Sequence, residues 1–336
     1  MIDTGAEGMD PLALKSLLEE SSRYMLTGID LLERQQWKPA LRHFDHVVKL
    51  RNQLPWREES EAAWMLAAAW INRGDALIGL GCEDLREKAL HCFDQTLLAM
   101  EHVSLEEHPA YPERSMLAWI KRATCCGEMG RYEEALRNFS EADGLLDRWG
   151  RNLSPTRSFL EAMLLVNLSR VQIEIRKYHD AREAARKAVI LLRPLDAASS
   201  LTKAWSLECR SLALMLENDE FVGEDWIAEA TDAVEEALAW VKSVGYLEGW
   251  EADLVRYGAK IYRACQPQFL AEFLGDWLLD GPLAGDTALR EEMKREVLVA
   301  KYEVEQRVLA APHRSDYVQG QIVILKSLQD IASQLS

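Results

Sequence analysis

Apolar residues recur along this chain at intervals of three and four, and no alternation of apolar and polar residues persists. That spacing places the apolar side chains on one face of an α-helix, so helix is the only regular element predicted. Asp10-Pro11 opens the first helix, because Asp is a favoured N-cap and Pro is tolerated at the first helical position. Breaks at residues such as Pro55, Gly81 and Pro155 divide the chain into about fourteen helices, or seven antiparallel hairpins.

One motif recurs four times within this helical pattern. An alanine is followed four positions later by a residue that faces the next helix, and successive alanines are 49, 46 and 46 residues apart. The four pairs are Ala40–Phe44, Ala89–Phe93, Ala135–Phe139 and Ala181–Ala185. A small residue lies at a matching place upstream of each pair, at Gly28, Gly74, Ala123 and Ser169. Self-similarity at such a period indicates a repeat array, in which each hairpin buries its apolar face against its neighbours.

The repeated segments resemble tetratricopeptide (TPR) repeats, whose signature places small and aromatic residues at fixed offsets. The third repeat matches best, in the run GRYEEALRNFSEA, where Gly130, Tyr132, Ala135 and Phe139 occupy signature positions. The match covers residues 21–194 well, 204–244 weakly and 250–336 only as helical hairpins. The resemblance implies an all-α, right-handed superhelical solenoid.

The repeats are longer than the common TPR unit of 34 residues. Extended repeats of this kind are similar to those of kinesin light chain and of some bacterial peptide-sensing regulators. The turn at residues 105–109 (LEEHP) and the segment LVNLS at 165–169 are similar to segments of kinesin light chain.

Three regions are predicted along the chain. Residues 1–10 are expected to be disordered, residues 11–245 to form the extended repeats, and residues 246–336 to form C-terminal helical hairpins. The last helix carries an apolar stripe at Val318, Ile322, Leu325, Leu328 and Leu335. That stripe has two interpretations: a hairpin that caps the array, or a helix that docks a partner or a second copy in a homodimer.

Composition narrows the classes of partner. The net charge of −16 and the pI near 5.0 argue against nucleic acid and anionic membranes, which select basic surfaces. The sequence shows no apolar run that would insert in a membrane and no signal peptide. Six scattered cysteines are typical of reduced thiols, so we expect a cytoplasmic protein.

No residue cluster predicts catalysis, a cofactor or a metal. His43 and His46 have zinc-compatible spacing but no third ligand nearby, which favours a solvated helix face. Cys125 and Cys126 lie on a repeat helix, where cysteine is most often a packing residue. A non-enzymatic protein is therefore expected.

The resemblance to TPR arrays implies that the first helix of each hairpin lines a concave groove. Carried over to this sequence, the groove positions are Asn72, Asp75, Ile120, Lys121, Thr124, Val166, Asn167 and Arg170. Asn72 and Asn167 could hold the backbone of an extended peptide through their amides. Lys121 and Arg170 add positive charge, which favours an acidic residue in the ligand. The preferred ligand is therefore an extended peptide with apolar anchors and an acidic residue. The alternative is an ordinary polar helix face with no ligand.

The sequence therefore predicts a scaffold or adaptor that binds a protein or an extended peptide in the groove. Two alternatives remain open at this point: a peptide-sensing regulatory module, and a cytoskeletal accessory protein that binds a tubulin-like filament.

Overall fold

The computed structural model describes residues 10–149, 154–195, 197–218, 226–244, 250–310 and 315–335. These residues form fourteen α-helices and one 3-10 turn, and they contain no strand. The first seven helices are α1 (Pro11–Glu33), α2 (Trp37–Arg51), α3 (Ser60–Gly79), α4 (Arg86–Met100), α5 (Tyr111–Glu128), α6 (Tyr132–Trp149) and α7 (Pro155–Glu174). The remaining seven are α8 (Tyr178–Leu192), α9 (Ala198–Glu217), α10 (Trp226–Val244), α11 (Trp250–Cys265), α12 (Leu270–Leu278), α13 (Thr287–Ala310) and α14 (Ser315–Gln334). The predicted all-α architecture is confirmed for this part of the chain.

The first helix of each of four hairpins ends in the same way. The residue after the last turn has a positive φ, at Gln35 (57°), Gly81 (67°), Gly130 (73°) and Arg176 (61°). At three of these ends a further backbone N–H reaches back five residues, with N···O distances of 2.8–2.9 Å: Gln36 to Leu31, Arg131 to Cys126, and Lys177 to Gln172. This left-handed cap satisfies carbonyl groups that a helix end otherwise leaves without partners. The cap turns the chain sharply into the second helix of the hairpin.

Small residues and aromatic rings hold the two helices of a hairpin together. A Cβ atom added at Gly28 would lie 2.7 Å from Phe44 Cε1, and one added at Gly74 would lie 2.6 Å from Phe93 Cε1. Phe44, Phe93 and Phe139 are at most 2% exposed. The repeat pattern predicts that these rings fill the space between one hairpin and the next, whereas Phe44 and Phe93 lie against the first helix of their own hairpin.

The chain divides into two compact units, Met1–Asn167 and Leu168–Ser336. In the first unit, each of the helices α1 to α5 packs against the next one in sequence. In the second unit, α9 packs against α8, α10 and α11, and the chain continues through α13 to α14. The predicted boundary near residue 245 stays a prediction, and residues 1–9 lie outside the described part.

Part of the predicted C-terminal stripe is covered by its own unit. Leu328 and Leu335 are 1% and 2% exposed, and α14 packs against α12 and α13. Val323, outside the stripe, is 62% exposed. The end of α14 therefore contributes to the core of the second unit.

Candidate functional site

The predicted groove residues fall on three repeat-equivalent positions of α3, α5 and α7. Ile71, Ile120 and Val166 share the first position, Asn72, Lys121 and Asn167 the second, and Asp75, Thr124 and Arg170 the third. All except Arg170 belong to the first unit.

The residues of the first position are buried. Ile120 is 1% exposed and Val166 is 4% exposed, so both pack in the core and offer little surface to a ligand in this conformation. Hydrophobic side chains at this position stabilise the repeat instead. Only the second and third positions present side chains to solvent.

The two asparagines of the second position are held in the same orientation. Asn72 Nδ2 donates to the carbonyl of Ala68 at 2.7 Å, and Asn167 Nδ2 donates to that of Met163 at 2.8 Å. Each amide thus uses one N–H on its own helix and keeps its Oδ1 and a second N–H for another partner. Thr124 makes a similar bond, from Oγ1 to the carbonyl of Ile120 at 2.8 Å. The polar side chains are therefore fixed before any ligand arrives.

Lys121 and Asp75 connect neighbouring hairpins. Lys121 Nζ on α5 lies 2.6 Å from Asp75 Oδ1 on α3, and the two side chains are 23% and 24% exposed. A half-buried pair is screened less by salt than an exposed one, so it holds both side chains in place. The positive charge of Lys121 is consequently balanced by the carboxylate of Asp75.

Arg170 is half-buried and lies on the part of α7 that belongs to the second unit.

Among the predicted groove residues, the structure brings Lys121 together with Asp75 and orients Asn72 and Asn167. The fixed amides of Asn72 and Asn167 can donate hydrogen bonds to the carbonyl groups of an extended backbone and accept them from its N–H groups.

A second set of charged residues, not predicted from the sequence, lies three positions after a tryptophan. In the first unit, Arg73 Nε lies 2.7 Å from Asp45 Oδ1, and Arg122 Nε lies 2.7 Å from Asp94 Oδ1. Arg122 also reaches Glu134 at 2.9 Å, so its guanidinium group is satisfied by two carboxylates. The signal was visible in the sequence as the repeated spacing Trp70–Arg73, Trp119–Arg122 and Trp205–Glu208.

The third member of that series has the opposite charge. Glu208 is 2% exposed, and its Oε2 has no hydrogen-bond partner among the described residues. Burial raises the pKa of Glu208 to about 7, although Arg186 and Arg182 act in the other direction. A carboxylic acid in such surroundings can take up or release a proton near neutral pH.

The described residues offer little for metal or thiol chemistry. They contain no group of three His, Cys, Asp or Glu side chains that could hold a metal ion. Burial raises the pKa of the Cys125 thiol to about 12 and that of Cys126 to about 11. A thiol that stays protonated is a poor nucleophile, so these two cysteines act as packing residues.

Comparison with solved structures identifies the fold. The apo form of the quorum sensor NprR from B. thuringiensis matches with a TM-score of 0.54 and 15% identity, over 95% of this chain and 82% of that one. Aspartyl phosphate phosphatase F from Bacillus subtilis matches with a TM-score of 0.52 and 14% identity, over 94% and 71% of the two chains. The fold is that of a TPR-like helical-repeat protein, as predicted.

A weaker likeness exists to TPR-like repeats of a putative kinesin light chain from Podosopora anserina. The TM-score is 0.46 with 17% identity, over 70% of this chain and 99% of that one, and it carries no argument about function. Known protein families and curated proteins give no match to this sequence. Among the helices of the described residues, none has the length and apolar character that crossing a membrane requires.

Proposed function

We propose that this chain is a non-enzymatic interaction module that binds a protein or an extended peptide along α3, α5 and α7. The observation that carries the proposal is the pair of asparagines, Asn72 and Asn167, which stand at equivalent repeat positions and have identically oriented amides. Amides repeated at a fixed spacing suit the repeating backbone of an extended peptide. The TPR-like fold supports this role, because such repeats expose one helix of each hairpin along a continuous surface.

The ligand would touch a smaller set of residues than the sequence predicted. Asn72, Asp75, Lys121, Thr124 and Asn167 present polar groups, and Arg170 is a further candidate. Since Ile120 and Val166 are buried, the apolar anchors of the peptide would have to find other contacts. An acidic residue of the peptide would compete with Asp75 for Lys121, which makes binding sensitive to salt.

A peptide-sensing regulatory module is the second candidate. One protein of the same fold is named a quorum sensor, and its likeness extends over most of this chain. The two candidates share the same binding surface and differ in whether the ligand changes the behaviour of the protein. Hydrogen exchange measured with and without a captured peptide would separate them, because a sensor gains protection beyond the binding surface.

Another protein of the same fold is named a phosphatase, so absence of enzymatic activity has to be tested. The expected result is no phosphate release from acetyl phosphate or from an aspartyl-phosphorylated response-regulator domain. Turnover above the spontaneous rate would refute the non-enzymatic proposal. The cytoplasmic location predicted from the sequence is checked by fractionation of the native cells.

The direct test compares two triple variants in affinity purification from native cells. The groove variant carries Asn72→Ala, Lys121→Gln and Asn167→Ala; glutamine is chosen because glutamate would repel Asp75. The control variant carries Asn52→Ala, Gln53→Ala and Lys88→Gln, three exposed positions that make the same change in charge. Circular dichroism confirms that both variants are helical.

A partner retained by wild type and control but lost by the groove variant would support the proposal. A partner that stays bound to all three proteins would refute the assignment to α3, α5 and α7. Light scattering of the purified wild type with its partner gives the stoichiometry and shows whether the chain dimerises.

A further inference from the structure

Helices α8, α9 and α10 of the second unit surround a cavity of about 320 Å³, within the size range of small-ligand sites. Trp205 and Ile190 supply apolar surface to its lining. Its charged lining residues are Glu208, Glu229, Asp232 and Glu236, with Arg186 and Arg193. Carboxylates therefore outnumber guanidinium groups by four to two.

Glu208 lies in this lining without a bonded partner. It is 2% exposed, and its Oε2 makes no hydrogen bond within the described residues. Two of the three arginines around it are already engaged: Arg193 pairs with Glu236 at 2.7 Å, and Arg182 pairs with Glu229 at 2.6 Å. A buried carboxylate is costly unless a cation or donors satisfy it, so this position favours an added cation.

The first unit has a cavity at the equivalent place, where several of the charges have the opposite sign. Trp119 and Arg122 correspond to Trp205 and Glu208, with the same spacing of three residues. There the guanidinium of Arg122 lies between carboxylates, 2.7 Å from Asp94 on one side. In the second unit Glu208 stands in place of that guanidinium and Arg186 stands in place of Asp94, yet no ion pair joins Glu208 and Arg186 within the described residues.

We propose that this cavity is a binding site for a cationic group, a guanidinium or an ammonium, that pairs with the carboxylate of Glu208. Guanidinium suits it better, since it is planar and stacks on aromatic rings. Arg193 already lies 5.6 Å from the centre of the Trp205 ring, so the ring accepts a guanidinium neighbour. The group can belong to a free small molecule or to a basic side chain of a partner peptide. This site is independent of the α3, α5 and α7 surface.

Arg186 is the intramolecular competitor for Glu208. Among the nearby arginines it has the largest effect on the pKa of Glu208, and no ion pair of Arg186 is formed within the described residues. Removing its charge should therefore tighten binding of an external cation.

Binding should also depend on pH. Burial raises the pKa of Glu208 to about 7, and a bound cation favours the ionised form. Affinity is thus expected to fall between pH 7.5 and pH 6. The other charged groups facing Glu208 are Arg182, Arg186 and Arg193 on α8, and Glu229, Asp232 and Glu236 on α10.

The test uses butylguanidinium and its neutral isostere butylurea as probes of the full chain. Saturation-transfer NMR and calorimetry at pH 7.5 should detect butylguanidinium bound at least about tenfold more tightly than butylurea. Glu208→Gln should weaken butylguanidinium binding by at least about tenfold, while Glu183→Gln, which removes an exposed carboxylate on the neighbouring α8, should leave it unchanged. Equal binding of the two probes, or unchanged binding by Glu208→Gln, would overturn the proposal.

Arg186→Gln gives a second reading in the opposite direction, which is decisive even if Glu208→Gln fails to fold. Tighter binding of butylguanidinium supports the competition, and weaker or unchanged binding contradicts it. A capped Ala-Ala-Arg-Ala-Ala peptide, with citrulline in place of arginine as control, identifies the source of the group. Tighter binding of the arginine peptide than of butylguanidinium assigns the site to a protein partner, and weaker binding assigns it to a free small molecule.

Discussion

The two units fill the same repeat positions with residues of different size. In the first unit Gly28 and Gly74 lie directly against the rings of Phe44 and Phe93. In the second unit Cys209 occupies the small position and Val234 the partner position, and both are at most 1% exposed. The repeat therefore preserves a filled space between the helices, and the volume is divided differently between the two partners.

The glycine–phenylalanine arrangement returns later in the second unit. A Cβ atom added at Gly258 would lie 2.9 Å from Phe273 Cζ and 3.1 Å from Val234 Cγ1. This contact shows that α11 and α12 pack as the earlier hairpins do, although the sequence resemblance there is limited to helical hairpins. The units also differ in charge, because Glu208 replaces the arginine of the first unit.

The largest expected effect comes from removing the ring at the partner position. Phe139→Ala in the first unit should lower the free energy of unfolding by about 3–5 kcal/mol, through lost burial and a cavity. Val234→Ala in the second unit should cost only about 2 kcal/mol, because fewer buried carbons are lost. Urea unfolding followed by circular dichroism measures both. Equal costs would contradict the unequal division of volume between the units.

Glu208 should make the second unit less stable as the pH rises. The pKa of Glu208 is about 7 in the folded chain, against an ordinary value of 4.5. At pH values between these two, the unfolded state has released the proton and the folded state still holds it. Stability is therefore lost between pH 4.5 and 7 and then levels off, by an amount of about 3 kcal/mol. Relative to wild type, Glu208→Gln should gain stability across that interval.

The measurement is urea unfolding of wild type and Glu208→Gln at several pH values between 4.5 and 8. Glu183→Gln serves as the exposed control and should not reproduce the gain. A difference between wild type and Glu208→Gln that stays flat with pH would show that the carboxylate titrates normally. Arg122→Gln in the first unit should instead lower the free energy of unfolding, because it leaves the two carboxylates that pair with Arg122 without their cation.

The close approach of Gly74 to Phe93 can be tested with one methyl group. Gly74→Ala should destabilise the first unit by about 1–2 kcal/mol, because overpacking exceeds the gain in helix propensity. Gly144→Ala in α6 is the matched control: no atom lies within 4 Å of its added Cβ, so it should stabilise by about 0.5–1 kcal/mol. Thermal unfolding of both variants would show opposite shifts. Stabilisation by both would mean that the Phe93 ring moves aside freely.

The smallest expected effect concerns the helix ends. Gln35 and Arg176 adopt the left-handed conformation that Gly81 and Gly130 adopt in the other repeats. Gln35→Gly should stabilise the first unit by about 1 kcal/mol, because glycine has no Cβ to strain there. Gly130→Ala should destabilise it by a similar amount, since nothing lies within 4 Å and only the backbone conformation matters. Denaturant midpoints of these variants give the comparison.

The helices and the repeat were predictable because their signals are local. Apolar spacing of three and four defines a helix whatever surrounds it, and the recurring Ala89–Phe93 type of pair identified the repeat. The contact of Gly74 with Phe93 inside one hairpin was not predicted, because the pattern marks small and aromatic positions without saying which of them meet. The charge reversal at Glu208 was equally visible in the sequence, as a tryptophan followed after three residues by an acid instead of a base.

The candidate groove stays a prediction, and burial limits which of its residues can meet a ligand. The helical spacing placed Asn72 and Lys121 at equivalent repeat positions and also included Ile120, which is buried. The family pattern specifies a face of a helix but not how deeply the next hairpin covers its edge. Whether a side chain reaches solvent depends on that neighbour.

By itself, the sequence determined that the chain is helical, that it repeats, and which small and aromatic residues recur at equivalent positions. Only the tertiary structure decided that Lys121 pairs with Asp75, 46 residues away, and that Glu208 is buried without a bonded partner. The reason is physical: helix formation depends on neighbours within a few residues, whereas the pairing of charges depends on distances between helices and on competition among all nearby groups.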